Sequence, residues 1–144
     1  MALKTLGWRE WLSLPDLGID TIKAKVDTGA RSSSLHAFDI QTFDRNGQDW
    51  VEFKIHPAQH NQETILQCQA PVKDFRQVTD SGGHKSMRYV IETTIQLGQD
   101  SFPIEVTLAD RSNMLFRMLV GRTAMKGRYL VDSSRSYCTS QISE

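Results

Sequence analysis

Asp27 is the residue of this sequence best placed for chemistry. It follows the alternating run "TIKAKV" and precedes Thr28, Gly29 and Ala30. A carboxylate at the end of a strand can accept backbone N–H bonds in a turn, and glycine allows a backbone conformation closed to other residues. The same carboxylate could instead act in acid–base catalysis. Asp27 is therefore either the cap of a turn or half of a catalytic pair.

Hydrolysis of a peptide bond by carboxylates alone needs two of them. One is ionised and takes a proton from water, and the other is protonated and polarises the substrate carbonyl. Within the chain, the candidates for a second carboxylate are Asp80, in "DSG", and Asp132, in "DSS". Asp80 lies where a hairpin turn or a flap is expected, and Asp132 has no glycine after it. Because 144 residues hardly accommodate two barrels, we expect a homodimer that places two copies of Asp27 across a twofold axis.

The four histidines do not predict a metal site. They are His36, His56, His60 and His84. His56 and His60 have an i, i+4 spacing, but Pro57 argues against a helix there and no glutamate stands next to His56. Zinc needs three or four convergent ligands. The sequence also lacks a G-x-x-x-x-G-K-S/T phosphate loop, so we expect no cofactor.

Most of the chain has the pattern of short strands. Residues 21–26 and 50–55 alternate apolar and polar side chains, which is typical of half-buried strands. The first of these runs places Ile22, Ala24 and Val26 on a buried face and Thr21, Lys23 and Lys25 on a solvent face. The pair Asn46-Gly47 predicts a two-residue hairpin, residues 80–83 predict a turn, and residues 122–126 predict a short helix. Many short strands with such turns indicate a small closed barrel or a sandwich, one domain over residues 1–144.

A second segment matches the Asp27 turn. "MLVGR" supplies apolar residues followed by Gly121 and Arg122. The two segments together resemble the retroviral-type aspartic proteases, in which an apolar-Asp-Thr/Ser-Gly-Ala loop carries the catalytic carboxylate and an apolar-apolar-Gly-Arg segment packs behind it. Nearly the whole chain, from "WREWLSLPDLGIDTIKAKVDTGARSSSLHA" through "SGGHKSMRYVIETTIQLG" to "MLVGRTAMKGRYLVD", resembles a bacterial retropepsin-like family commonly labelled ATP-dependent zinc protease.

This resemblance implies an all-β fold, a closed acid-protease-like barrel of the retropepsin type with one short helix near the C-terminal third. It implies an aspartic peptidase with Asp27 as the catalytic residue and with Thr28 and Gly29 holding its loop. Gly121 and Arg122 are then structural supports. Some members of the family are associated with an ATP-grasp ligase that adds glutamates to a ribosomal protein. A glutamate-tailed or ribosome-associated substrate and a glutamate ligase partner are therefore further expectations.

Substrate contacts are expected on both sides of the cleft. The residues predicted to bind substrate are Ala30, Arg31, Gly82, Gly83 and His84. Five basic residues could favour acidic peptides: Arg31, His36, His84, Lys85 and Arg88. The chain carries 17 basic and 17 acidic side chains, however, and this zero net charge favours ordinary solvated positions. The same balance gives no indication of a nucleic-acid or membrane partner.

The sequence shows no secretion signal and no membrane span, so we expect a cytoplasmic protein. Two alternatives to the dimeric peptidase stay open. One is a catalytically inactive barrel that binds peptides or a partner enzyme, in which Asp27 only stabilises its loop. The other is a zinc-dependent peptidase, as the family label suggests.

Overall fold

The computed structural model describes residues 3–57, 64–80, 82–110 and 116–139. The strands are β1 (Lys4–Leu6), β2 (Arg9–Leu14), β3 (Ile19–Val26), β4 (Ser33–His36), β5 (Phe38–Arg45), β6 (Gln48–Ile55), β7 (Leu66–Pro71), β8 (Asp74–Thr79), β9 (Lys85–Leu97), β10 (Asp100–Ala109), β11 (Met118–Val120) and β12 (Tyr129–Val131). A 3-10 helix (Pro15–Leu17) follows β2, and the helix α1 (Arg122–Met125) confirms the short helix predicted near the C-terminal third. Over the described ranges, no helix has the length and apolarity needed to cross a membrane.

Six strands close into a ring. Their order is β10-β4-β11-β3-β2-β9, and β9 pairs again with β10. Strand β8 extends the sheet beyond β9, and β8 and β9 pair as a hairpin from Asp74 opposite Val90 to Thr79 opposite Lys85. A three-stranded antiparallel sheet, β5-β6-β7, and a parallel pair, β1-β12, complete the pairing. The closed ring confirms the all-β barrel and excludes the sandwich.

The barrel core comes from the alternation seen in the sequence. Ile22, Ala24 and Val26 are buried, as their spacing predicts. The prediction for Lys23 is wrong, because only 4% of this residue is exposed. Its Nζ lies 5.3 Å from the ring centroid of Trp11 and 6.0 Å from that of Tyr137. Aromatic rings therefore cover the outer face of β3 at this point, which alternation within β3 could not indicate.

The hairpin predicted at Asn46-Gly47 is confirmed. Asn46 has φ 54° and Gly47 has φ 81°, and the flanking residues Arg45 and Gln48 pair directly. Positive φ at both central residues is the geometry of a type I′ turn, which matches the twist of the strands it joins. This turn sets the register of β5 on β6.

A buried carboxylate ties the two ends of the described chain together. Glu10 on β2 has no exposed surface and accepts hydrogen bonds from the backbone N–H of Gly7 (2.7 Å), Cys138 (2.8 Å) and Thr139 (3.1 Å). The Thr139 hydroxyl donates to the same carboxylate at 2.9 Å. Glu10 thus holds Cys138 and Thr139 next to β2.

The placement of β11 determines where the Asp27 turn sits. β11 lies between β3 and β4, parallel to β3 and antiparallel to β4, with Val120 opposite Val26. Because parallel strands end at the same edge of a sheet, the turn after Val26 and the segment after Val120 leave the sheet side by side. The barrel topology therefore brings two segments together that are far apart in sequence.

Candidate active site

The Asp27 turn is held by its own backbone and by β11. The backbone N–H of Asp27 donates to the Val120 carbonyl at 2.9 Å, and the N–H of Ala30 donates to the Asp27 carbonyl at 3.2 Å. The carboxylate oxygen Oδ1 of Asp27 accepts the Gly29 N–H at 3.0 Å. Asp27 is half-buried, Thr28 and Gly29 are exposed, and Ala30 is buried. The turn thus fixes Asp27 at the barrel edge while leaving its loop open to a ligand or a second molecule.

Arg122 braces the turn from the side of α1. Its Nη1 donates to the Thr28 carbonyl at 3.0 Å, and its backbone N–H donates to the Ala30 carbonyl at 2.9 Å. The next residue, Thr123, donates its N–H to the Arg31 carbonyl at 3.0 Å. Three hydrogen bonds therefore join the start of α1 to the segment that follows Asp27.

Gly121 allows the close approach that these bonds require. A Cβ atom at this position would lie 2.4 Å from the carbonyl carbon of Ser32 and 2.9 Å from the carbonyl oxygen of Arg31. Its N–H donates to the Ser33 hydroxyl at 3.0 Å. A residue with a side chain does not fit here without moving backbone atoms.

The turn of the β8–β9 hairpin is built around Asp80. Its Oδ1 accepts the N–H groups of Gly82 and His84, each at 2.9 Å, and Gly83 adopts φ 87°. Ser81 lies outside the described residues. The carboxylate of Asp80 therefore stabilises its own turn, as expected for a hairpin or flap.

An inner groove of about 290 Å³ lies between the Asp27 loop and this hairpin. Ala30 and Arg31 line one side, and β8 residues 76–79 with Asp80 line the other. An outer groove of about 660 Å³ lies beside the same hairpin and includes His84. Of the predicted substrate contacts, the structure brings Ala30 and Arg31 to the inner groove and His84 to the outer one. The described lining of the two grooves does not include Gly82 or Gly83.

The comparison with protein families decides how this geometry is classified. Residues 5–141 match the family model described as RimB-like, retropepsin-like aspartic endopeptidase RimB. The chain belongs to this family. The retropepsin-like resemblance inferred from the "DTGA" and "MLVGR" segments is thereby confirmed.

Curated relatives of this RimB-like chain are much longer proteins. A Shewanella pealeana protein named probable alpha-L-glutamate ligase is 47% identical over 133 residues, which cover 92% of this chain. A Desulfotalea psychrophila protein of the same name is 44% identical over 144 residues, which cover the whole chain. The chain spans only 29% and 31% of the lengths of these two relatives.

A solved structure shares the fold of the RimB-like chain. It is a Legionella pneumophila protein of unknown function (DUF785), with a TM-score of 0.79 and 26% sequence identity. The alignment covers 96% of this chain and all of the Legionella chain. The closed β-barrel is therefore common to both proteins.

Asp132, the other candidate for a second carboxylate, also stabilises a turn. It accepts the backbone N–H of Ser134 at 2.9 Å and the Ser134 hydroxyl at 2.6 Å, and these bonds hold the pKa of Asp132 below its usual value. Its own N–H donates to the Leu6 carbonyl at 2.8 Å. Asp132 thus belongs to the segment that packs on β1.

The histidines lie in two different surroundings. His36 is 3% exposed, and burial is the main reason why its pKa is lowered; the nearby Arg117 lowers it further. The ring of His56 stacks on that of Phe38, with 4.6 Å between centroids. His60 lies outside the described residues. Within the ranges that the structure describes, no three His, Cys, Asp or Glu side chains are grouped so that they could hold a metal ion.

Two of the basic residues expected at solvated positions are buried instead. Only 3% of His36 and 7% of Arg88 is exposed. Arg88 lines both grooves; it is one of the five basic residues that the sequence analysis considered for the substrate groove, although a solvated position was favoured for it there. The groove residues that the sequence analysis missed are those of β8, residues 76–79, because the mixed polarity of that segment does not indicate a strand facing the Asp27 loop.

Proposed function

We propose that this chain is an aspartic endopeptidase in which the Asp27 carboxylates of two copies activate one water molecule. The observation that carries the proposal is the braced turn that holds a half-buried Asp27 at an open barrel edge. Membership in a retropepsin-like endopeptidase family supports it. The described candidates for an internal second carboxylate, Asp80 and Asp132, are engaged in their own turns, which favours a second copy of the chain.

In the proposed pair, the two carboxyl groups share one proton because two negative charges at short distance repel each other. The ionised Asp27 takes a proton from water as the water oxygen bonds to the peptide carbonyl carbon. The protonated Asp27 gives its proton to the carbonyl oxygen. The carbon–nitrogen bond then breaks as the first carboxyl protonates the leaving nitrogen and the second takes a proton back from the diol oxygen. The pair ends with one proton, as it began.

We also propose that the substrate carries glutamates and that a glutamate ligase acts on the same protein. Two relatives of 44% and 47% identity are proteins about three times as long that are named probable alpha-L-glutamate ligase. A protein that adds glutamates and a peptidase that removes them would act on the same chain end. Cleavage of a protein with and without a glutamate tail tests this part of the proposal.

The central test is Asp27→Asn, which keeps the size of the side chain and removes its acidity. We expect it to abolish peptide cleavage while the protein remains folded. Asp132→Asn is the matched control and should cleave as the wild type does. Cleavage by Asp27→Asn at the wild-type rate would refute the proposal, and loss of cleavage in Asp132→Asn would place the second carboxylate within one chain.

Mixing the proteins tests the dimer. In an equal mixture of wild type and Asp27→Asn, random pairing leaves about one quarter of the dimers with two carboxylates. At fixed total protein, cleavage should then fall to about one quarter, whereas an enzyme active as a single chain would keep about one half. Cleavage should also decline as the pair becomes fully ionised at alkaline pH. Activity that vanishes with a metal chelator would instead support the zinc-dependent alternative.

A further inference from the structure

A buried hydroxyl group connects the β8–β9 hairpin to the strand that supports the Asp27 turn. Thr107 on β10 has no exposed surface. Its Oγ1 accepts a hydrogen bond from Nη1 of Arg88 on β9 at 3.3 Å, and its hydroxyl donates to the carbonyl oxygen of Ser33 at 3.3 Å. A hydroxyl group has one proton to donate, and Thr107 donates it to Ser33. Thr107 therefore joins a strand of the hairpin to the first residue of β4.

Ser33 carries this connection to the Asp27 turn. It too has no exposed surface, and its hydroxyl accepts the backbone N–H of Gly121 at 3.0 Å. The next residue, Arg122, donates its backbone N–H to the carbonyl of Ala30 at 2.9 Å. Ala30 in turn donates its N–H to the carbonyl of Asp27 at 3.2 Å. A series of hydrogen bonds thus runs from the hairpin through β10 and β4 to the candidate catalytic residue.

A second buried threonine has no such connection. Thr93 on β9 is 2% exposed, and its Oγ1 has no hydrogen-bond partner in the part of the chain that the structure describes. Valine has nearly the same shape as threonine and lacks the polar hydroxyl, whose burial without a partner is unfavourable. The two threonines therefore differ in the bonds that their hydroxyls make and not in their burial.

We propose that Thr107 is a positioning residue of the peptidase. Its hydroxyl holds Ser33, and Ser33 holds Gly121 beside the Asp27 turn. Thr107 does not contact substrate, because it has no exposed surface and is not among the described residues that line the two grooves. A displacement of a catalytic group by about 1 Å can lower the rate by about 100-fold. This inference rests on the proposed function, since the turn needs such positioning only if Asp27 is catalytic.

The loss of the Thr107 hydroxyl should affect kcat more than KM. Arg88 also donates to the hydroxyls of Ser34 at 3.2 Å and Ser86 at 2.9 Å, and these two bonds keep its guanidinium in the groove wall. The bond from Thr107 to the Ser33 carbonyl is lost outright. The groove therefore changes less than the support of the Asp27 turn does, and a change that acts on the reacting groups alone lowers kcat.

Thr107→Val removes the hydroxyl and keeps the shape of the side chain. We expect kcat for peptide cleavage to fall by about tenfold and KM to change by less than about twofold. Thr107→Ser, which keeps the hydroxyl, should retain kcat within about twofold of the wild type. Thr93→Val is the matched control and should cleave as the wild type does. Wild-type kcat in Thr107→Val, or an equal loss of kcat in Thr107→Ser or Thr93→Val, would overturn the inference.

The pH dependence of kcat separates positioning from a loss of folded protein. In the pH range where circular dichroism shows the variant to be folded, fewer active molecules lower kcat by the same factor at every pH. A changed distance between the two Asp27 carboxyls changes their repulsion, so the alkaline limb of the kcat profile should shift in Thr107→Val. An alkaline limb at the wild-type pH would assign Thr107 a merely structural role and overturn the inference.

Ser33→Ala interrupts the series one step closer to Asp27 and decides the matter if Thr107→Val does not fold. It removes the hydroxyl that accepts the Gly121 N–H. We expect the same loss of kcat, about tenfold, and a double variant with Thr107→Val should lose no more than the worse single variant. Wild-type kcat in a folded Ser33→Ala protein would overturn the inference, and so would losses that multiply in the double variant.

Hydrogen exchange at the Gly121 amide tests the series without cleavage. Measured by NMR on the full chain, this exchange should be about tenfold faster in Thr107→Val than in the wild type or in Thr93→Val. Equal exchange rates would overturn the inference. Failure of the proposed function looks different, because Asp27→Asn would then still cleave while the Gly121 amide would still exchange faster in Thr107→Val.

Discussion

Replacement of Gly121 by alanine tests the packing that holds the Asp27 turn. The added Cβ would lie 2.4 Å from the carbonyl carbon and 2.5 Å from the carbonyl oxygen of Ser32. These are backbone atoms, which cannot rotate out of the way. The backbone angles of Gly121, φ −93° and ψ 176°, are extended and suit alanine. The effect of Gly121→Ala is therefore steric and not a matter of glycine flexibility.

The expected loss of stability follows from the contacts. Relief of the overlap requires the two segments to separate by about 1 Å, and overpacking of this kind costs about 1–3 kcal/mol. The same movement stretches the bond from the Arg122 N–H to Ala30 (2.9 Å) and that from the Thr123 N–H to Arg31 (3.0 Å). Each such bond contributes about 0.5–1.5 kcal/mol. The free energy of unfolding should therefore fall by about 2–6 kcal/mol, a large share of the ~5–15 kcal/mol typical of a domain.

Urea unfolding followed by tryptophan fluorescence measures this loss. Gly82→Ala is the matched control, because its Cβ would lie 3.3 Å from the Nδ1 of the exposed His84 ring, which can move. We expect the control to change the unfolding free energy by less than about 0.5 kcal/mol. Where Gly121→Ala remains folded, it should also lose peptide cleavage. A Gly121→Ala protein as stable as the control would refute the close packing described for this site.

Two further predictions concern buried ionisable groups. Glu10→Gln places an amide NH₂ group against backbone donors such as those of Gly7 and Cys138, so it should lower the unfolding free energy by about 2–4 kcal/mol. A thermal unfolding midpoint of Glu10→Gln equal to that of the wild type would contradict a stabilising role for the hydrogen bonds of Glu10. Burial holds the pKa of His36 below 6.5, so the unfolded chain binds the proton first and stability should fall as the pH drops below 6.5. Urea unfolding at about pH 7.5 and about pH 5.5 should show this loss in the wild type and a smaller one in His36→Phe.

The features predicted well from the sequence are those that neighbouring residues determine. The turn at Asn46-Gly47 requires positive φ at both positions, and few other residue pairs tolerate this. The Asp27 turn likewise follows from a short polar side chain followed by glycine. The alternation in residues 50–55 is periodic because the strand has one buried and one half-buried face. In each case the physical cause lies within a few residues of the chain.

The strands that were not predicted depend on distant partners. β1 (Lys4–Leu6) and β12 (Tyr129–Val131) have three residues each, too few to show a period of two, and they form only because each pairs with the other. β8 has an exposed Phe75 and mixed polarity because its hairpin with β9 extends beyond the closed ring. Hydrogen bonds made over such distances leave no local pattern.

The charge at the candidate site also depends on distant parts of the chain. The pairing of the strands determines which charged side chains lie there, and the composition of the chain does not. Arg9, Lys25 and Arg88 belong to strands β2, β3 and β9, and only the pairing of those strands brings their side chains to one face. The acids that bring the net charge of the chain to zero include Asp74 on β8, Glu92 on β9 and Glu105 on β10. They form ion pairs with Lys73 and Arg76. A zero sum over the chain therefore does not give the charge of one site: three arginines, Arg31, Arg76 and Arg88, and one acid, Asp80, line the inner groove beside the Asp27 loop. Because a charged ligand responds mainly to charges within about one Debye length, ~8–10 Å, the local distribution of charge matters more for binding than the total charge of the chain.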